Sequence, residues 1–199
     1  MKAFPHLRLI RTAEPSETTE AVARAQQGHS AAQAELFHAH APRMLRLLTY
    51  LLASTTDAED ALQDTFVHAF RDLGQLKDPL AFGGWLRQIA IHQAHRHFRR
   101  RRLLRGLGLD RRPPDATLAQ LVAPGVAPEV HAELAIIDRE LRKLPTDVRM
   151  AWMLRYVEGW ELGEVALACH CSLATIKRRI SAARARLARH LDLPEYDDE

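Results

Sequence analysis

The chain has 199 residues, of which 47% are hydrophobic, 27% charged and 6% aromatic, with Leu, Ala and Arg prominent; that is enough apolar mass for a core and a balance that favours helices over sheets. No uncharged run approaches the ~18 apolar residues of a membrane span, and Met1-Lys2-Ala3-Phe4-Pro5-His6-Leu7-Arg8 carries charges where a signal peptide has its apolar segment. Two cysteines, Cys169 and Cys171, cannot staple a secreted scaffold, so the expectation is a soluble, cytoplasmic, all-α protein without membrane insertion. Residues 1–19 read as an arm, with helical patterning beginning near Ser16. Ser30 is the expected N-cap of the next helix, whose apolar run Leu36-Phe37, Met44-Leu45, Leu47-Leu48 and Leu51-Leu52 is punctuated by Pro42, a break or a fresh first turn. Thr56, followed three residues later by Glu59, has the spacing of a capping box. In the helix it opens, Leu62, Phe66, Ala69, Phe70 and Leu73 form one stripe, and Asp57, Asp60, Gln63 and Asp64 share another face. A loop from Gly74 to Gly84 then leads to a helix from about Trp85 to Arg102.

The formal net charge of +3 conceals strong blocks. Asp57 to Asp78 holds six acids against Arg71 and Lys77, whereas Arg87 to Arg112 holds nine arginines against Asp110. Lys177 to His190 has six basic residues and no acid; Asp192 to Glu199 has five acids and no base. Two polyanion contacts and at least one basic protein partner are the simplest implication.

Residues 106–128 carry Gly106, Gly108, Pro113, Pro114, Pro124, Gly125 and Pro128 and read as an interdomain linker. Periodicity returns at Glu129 and continues past Leu144-Pro145 to Gly159, where a helix ends. Two helices follow, about Glu161 to Cys169 and Leu173 to Leu191, around the turn His170-Cys171-Ser172, with Ser172 placed to cap the second. Leu162, Val165, Ala166 and Cys169 form the expected inner face of the first, and Leu173, Ile176, Ile180, Ala183 and Leu187 that of the second. Opposite lie Ala174, Arg178, Ala182 and Ala185, with Lys177 and Arg184 on one flank and Arg179 and Arg186 on the other. Small residues let the backbone approach a groove floor while flanking cations reach phosphates, as a helix-turn-helix recognition helix requires.

These residues carry a family resemblance. Leu144-Pro145 through Tyr156-Val157-Glu158-Gly159, Glu164-Val165-Ala166 and Ser172-Leu173-Ala174-Thr175-Ile176-Lys177-Arg178-Arg179 resemble the last domain of extracytoplasmic-function (ECF) sigma factors, the promoter-recognition subunits of bacterial RNA polymerase. Asp57-Ala58-Glu59-Asp60-Ala61-Leu62-Gln63-Asp64-Thr65-Phe66 resembles their polymerase-docking helix, and Phe82-Gly83-Gly84-Trp85-Leu86-Arg87-Gln88-Ile89-Ala90 their promoter-melting segment. The resemblance implies an arm (1–19), a region 2-like domain (20–105), a linker (106–128), a region 4-like helix-turn-helix domain (129–191, the motif at about 161–181) and an acidic tail (192–199). It implies docking on core polymerase through Asp57, Asp60, Gln63 and Asp64. The −10 element would meet Lys77, Arg87, Gln88, Arg96, Arg99 and Arg100, with Phe82 and Trp85 expected in the core. The −35 element would meet Ser172, Ala174, Thr175, Lys177, Arg178, Arg179, Ser181 and Arg184. An anti-sigma partner is implied as well, and nucleoid association when bound to polymerase. The family's promoter elements lie ~50 Å apart; the 23 linker residues span about 75 Å fully extended and average ~26 Å as a coil.

Three positions depart from the family pattern: His170 stands where glycine is usual, Glu161 where a hydroxyl cap is usual, and His92 where asparagine is frequent. Cys169-His170-Cys171 with His92, His95 and His97 lacks the spaced pairs of a structural zinc site, and the cysteines occupy positions expected in the core. With no nucleophile–base pair and no phosphate-cradling glycine loop, neither enzyme chemistry nor a cofactor is expected. A stand-alone helix-turn-helix regulator is the alternative, although it needs neither the acidic face nor the Trp85–Arg102 segment.

Overall fold

A computed structural model describes residues 18–108 and 127–190. The described residues are helical, without strands, and fall into two compact units, one within residues 13–116 and one within 117–199. No helix among them is long and apolar enough to cross a membrane.

The N-terminal unit consists of α1 (Thr18–Gln26), α2 (Ser30–Leu52), α3 (Thr55–Asp72) and α4 (Phe82–Gly106). The long helices pack on one another through Leu36, Met44, Leu48 and Leu51 of α2, Ala58, Ala61, Phe66 and Ala69 of α3, and Phe82, Leu86, Ala90, Ile91 and Ala94 of α4, all buried. Alanines at the centres of α3 and α4 leave room for the larger α2 side chains to interdigitate. The helix starts differ from the sequence expectations. Ser30 is the first residue of α2 and His29 stands before it; the His29 side chain lies 2.9 Å from the Arg24 carbonyl. Pro42 does not break α2, which runs on to Leu52. The missing N–H costs about 3 kcal/mol in a helix interior, offset by burial of Ala41, Met44, Leu47 and Leu48 on both sides. The cap of α3 is Ser54, not Thr56: α2 ends at Ala53 in a left-handed conformation (φ 51°), and the next residue, extended, accepts from Asp57 N–H through its hydroxyl at 3.4 Å. The expected loop 74–84 is shorter, because α4 begins at Phe82. Two 3-10 turns, Leu73–Gln75 and Pro79–Ala81, make the connection, and Asp78 caps the second by accepting from Leu80 N–H at 3.0 Å.

The C-terminal unit contains α5 (Pro128–Arg142), α6 (Thr146–Tyr156), α7 (Leu162–Ala168) and α8 (Leu173–Leu187). Its core is Leu134, Ile137, Leu141, Met150, Trp152, Leu154, Val165, Ile176, Ile180, Ala183 and Leu187. Leu173, expected on the inner stripe, is instead exposed, as the first residue of α8 directly after the Ser172 cap. Glu161 is the N-cap of α7 although it lacks a hydroxyl. Its N–H donates to the Glu164 carboxylate at 2.8 Å, and its own carboxylate accepts from Arg155 at 3.2 Å. His170 adopts φ 50°, the left-handed conformation for which glycine is favoured. Residues 1–17, 109–126 and 191–199, hence the arm, most of the expected linker and the tail, lie outside the described residues.

Candidate functional site

On α3 the spacing of Asp60, Gln63 and Asp64 places all three side chains in solvent. Val67, three residues beyond Asp64, extends the same stripe and is 65% exposed. That residue escaped the sequence reading, where a valine in a helical apolar pattern looks like core; its register with Asp60 was the available signal. Asp57 departs from the expected docking set. It is buried in an ion pair with Arg101 of α4 at 3.0 Å, so it fastens the start of α3 to the end of α4. Beside this bridge is a cleft of about 250 Å³ lined by Asp57, Asp60, His97, Arg100, Arg101 and Leu104. His97 approaches Asp64 at 3.7 Å, and Arg100, expected on the −10 element, faces this acidic border.

The connection from α3 to α4 presents Lys77 in solvent and holds Leu80 outward, 81% exposed. Along α4, Gln88, His92, Arg96 and Arg99 follow one another at helical spacing on an exposed face. Arg96 also donates to Gln93 at 3.1 Å. Arg87 is half-buried and folds back toward the helix start: a Cβ added at Gly84 would lie 3.9 Å from its guanidinium. Phe82 is fully buried, edge-on to His40 with ring centroids 5.0 Å apart, whereas Trp85 is only half-buried.

In the C-terminal unit the turn between α7 and α8 is closed by backbone bonds from His170 N–H to Leu167 O (3.2 Å) and from Cys171 N–H to Ala166 O (3.1 Å). The Ser172 hydroxyl accepts from Thr175 N–H at 3.2 Å and lies 2.9 Å from its hydroxyl, so both residues are engaged at the start of α8. Ala174, Lys177, Arg178, Ser181, Ala182 and Ala185 form the exposed face, and Arg184 is half-buried beside it. Arg179 is not a free flank cation: it pairs with Asp147 at the start of α6 (2.7 Å) and donates to Cys171 Sγ (3.4 Å). Arg186 likewise turns inward, to Glu140 at 2.9 Å. Glu140 has no exposed side-chain surface and is surrounded by Lys143 (2.6 Å), Arg186, Arg139 (3.2 Å) and His190 (3.4 Å). Hydrogen bonding from Lys143, with further help from Arg186 and His190, outweighs burial and lowers its pKa to about 2. Cys169 is core, and burial pushes its thiol up to about 12, a protonated, unreactive state. Among the described residues no three His, Cys, Asp or Glu side chains are grouped to hold a metal.

An acidic helix face and a basic helix on one unit, followed by a helix-turn-helix on another, define a two-module factor that joins a protein partner to DNA. The sequence profile of Sigma-70 region 2 matches residues 36–103, and that of Sigma-70, region 4, matches residues 134–187. The chain is 30% identical over 158 residues to the ECF RNA polymerase sigma factor SigM of Mycobacterium tuberculosis (79% of this chain, 76% of SigM). It is 29% identical over 184 residues to the RNA polymerase sigma-H factor of Pseudomonas aeruginosa (85% and 91%). Among solved structures, the sigma factor RpoE from Bartonella quintana, in complex with the anti-sigma factor NepR, is similar with a TM-score of 0.61, 23% identity and coverage of 81% and 98%. CnrH, in complex with the cytosolic domain of CnrY, is similar with a TM-score of 0.54, 27% identity and coverage of 88% and 97%. The chain belongs to the ECF sigma factors of bacterial RNA polymerase. It is a transcription initiation factor, not an enzyme.

Proposed function

We propose that the three exposed surfaces divide the work of initiation among themselves. The α3 stripe of Asp60, Gln63 and Asp64, extended by Val67, docks on a basic surface of core polymerase, where complementary charge sets registry and association rate. Lys77 and the α4 face of Gln88, Arg96 and Arg99 meet the opened −10 element, cations on the backbone and polar groups on exposed bases. Arg87 and Arg100 support that face from the side, Arg100 at its border with the docking cleft. In the C-terminal unit Ala174, Lys177, Arg178 and Ser181 enter the −35 major groove and Arg184 follows a phosphate strand. Ser172 and Thr175 bring the amino end of α8 to the DNA, and Arg179 braces the motif from behind. The division follows the expected domains, 20–105 and 129–191, joined by 106–128. An anti-sigma factor is the expected regulatory partner, a reading supported by the complex in which the similar sigma factor RpoE was solved. The factor acts in the cytoplasm and on the nucleoid when bound to polymerase.

One observation carries this reading: regions 2 and 4 are both present, in order, and each leaves its polar face exposed. Run-off transcription from a genomic-fragment library, with purified core polymerase and this chain, should give discrete start sites. DNA binding without polymerase and without starts would instead mark a stand-alone helix-turn-helix regulator.

A further inference from the structure

The connection that carries Lys77 and Leu80 is pinned from a distance. Gln26, the last residue of α1, gives both hydrogens of its side-chain amide to backbone carbonyls 47 and 50 residues away: Nε2 donates to Leu73 O at 3.0 Å and to Leu76 O at 2.8 Å. These carbonyls lie just beyond α3, at the two ends of the first 3-10 turn, where Leu73 O also accepts from Leu76 N–H at 3.1 Å, so the amide fastens a turn the backbone already closes. The clamp has a firm base, since Ala21, Val22 and Ala25 of α1 are buried and Arg24 pairs with Glu35 of α2 at 2.7 Å. Downstream, the Asp78 cap and Pro79 set the second 3-10 turn and hold Leu80 in solvent. Gln26 itself is exposed, so core packing does not account for its orientation.

We infer that Gln26 is a positioning residue for promoter opening: it fixes the Leu73–Ala81 connection so that Lys77 and Leu80 are presented to the separated −10 strand at a constant place. This rests on the proposal that this connection and α4 meet the −10 element. Loss of two neutral hydrogen bonds to a pre-set element corresponds to about a ten-fold loss of affinity for whatever that element binds.

The test uses holoenzyme assembled from core polymerase and the full chain. Its probe is a fluorescent single-stranded oligonucleotide from the −10 region of a promoter mapped by run-off transcription. Gln26→Leu, which removes both donors, and Gln26→Glu, which sets a carboxylate against two carbonyls, should bind the oligonucleotide about ten-fold more weakly. Association with core and binding to −35 duplex should stay unchanged. Gln26→Lys, which keeps donors at similar reach, should recover most of the affinity. Unchanged oligonucleotide binding in Gln26→Leu overturns the role assigned to Gln26. So does a loss that runs in parallel with core association and is not recovered by Gln26→Lys, the mark of general destabilisation. If wild-type holoenzyme itself fails to bind the oligonucleotide, the −10 assignment falls and this inference with it.

Discussion

Three aspartates on about two turns of α3 have two different physical jobs. Asp57 is buried against Arg101, and removing it leaves a desolvated guanidinium without its counter-charge. Asp57→Ala should therefore destabilise the N-terminal unit by ~3 kcal/mol, read as a lower denaturant midpoint. Asp60 and Asp64 are exposed, and their replacement by lysine should leave that midpoint within about 0.5 kcal/mol of wild type. The charge reversal should nevertheless abolish co-purification with core polymerase. Undiminished co-purification refutes the docking assignment. On α8 the same separation applies to Arg178 and Arg179. Arg178 is exposed at the centre of the α8 face proposed to enter the −35 groove, so Arg178→Ala should weaken −35 binding by ~1–3 kcal/mol and relax the preferred sequence, measured on a panel of substituted duplexes.

At the scale of elements, the C-terminal unit is organised around the buried carboxylate of Glu140, which joins α5 to the end of α8 through Arg186 and His190. Its pKa is about 2 in the folded chain, below the ordinary 4.5. A depressed carboxylate pKa means that the unfolded state takes up the proton first on acidification. The stabilisation is thus complete above about pH 4.5 and is lost as pH falls toward 2. Trp152, fully buried in this unit, reports the change: in a Trp85→Phe background, urea midpoints followed by tryptophan fluorescence should fall between pH 4.5 and 2, and Glu140→Gln should flatten that dependence. α3 and α4 show a related economy of surface. Each buries an alanine-rich stripe against α2 and leaves a polar stripe exposed, so the surfaces proposed for recognition are faces of packed helices, which hold side chains more accurately than loops do.

Across the whole molecule, the proposed division of labour has the two units hold at once two DNA elements that the family resemblance puts ~50 Å apart. The 23 residues from Gly106 to Pro128 reach about 75 Å when extended, and eleven of them would reach only ~36 Å. Deleting twelve residues within 109–126 should abolish run-off transcripts from a promoter bearing both elements. Core association and −35 duplex binding should survive, because neither requires the two units to bind DNA together. Transcription at wild-type level from the shortened chain would rule out a spanning role for this segment.

Sequence by itself determined the helical class, the family and the ordered regions, since the 3.6-residue spacing of apolar positions states which helix faces are buried whatever surrounds them. It also revealed the Ser172 cap and the strained position of His170, features encoded within a few residues. Tertiary structure alone decided which charged side chains remain available. Asp57 and Asp60 are both acids on α3, but only Asp57 meets Arg101, 44 positions away. Arg178 and Arg179 are neighbours in an unbroken basic run, and only Arg179 finds Asp147. Ser54 displaced Thr56 as a cap because α2 closes at its C-cap Ala53, one residue earlier, and α2 continued through Pro42 with Ala41, Met44, Leu47 and Leu48 buried around it. Periodicity is a local property of the chain, whereas the pairing of charges is a long-range one set by which helices come to lie side by side.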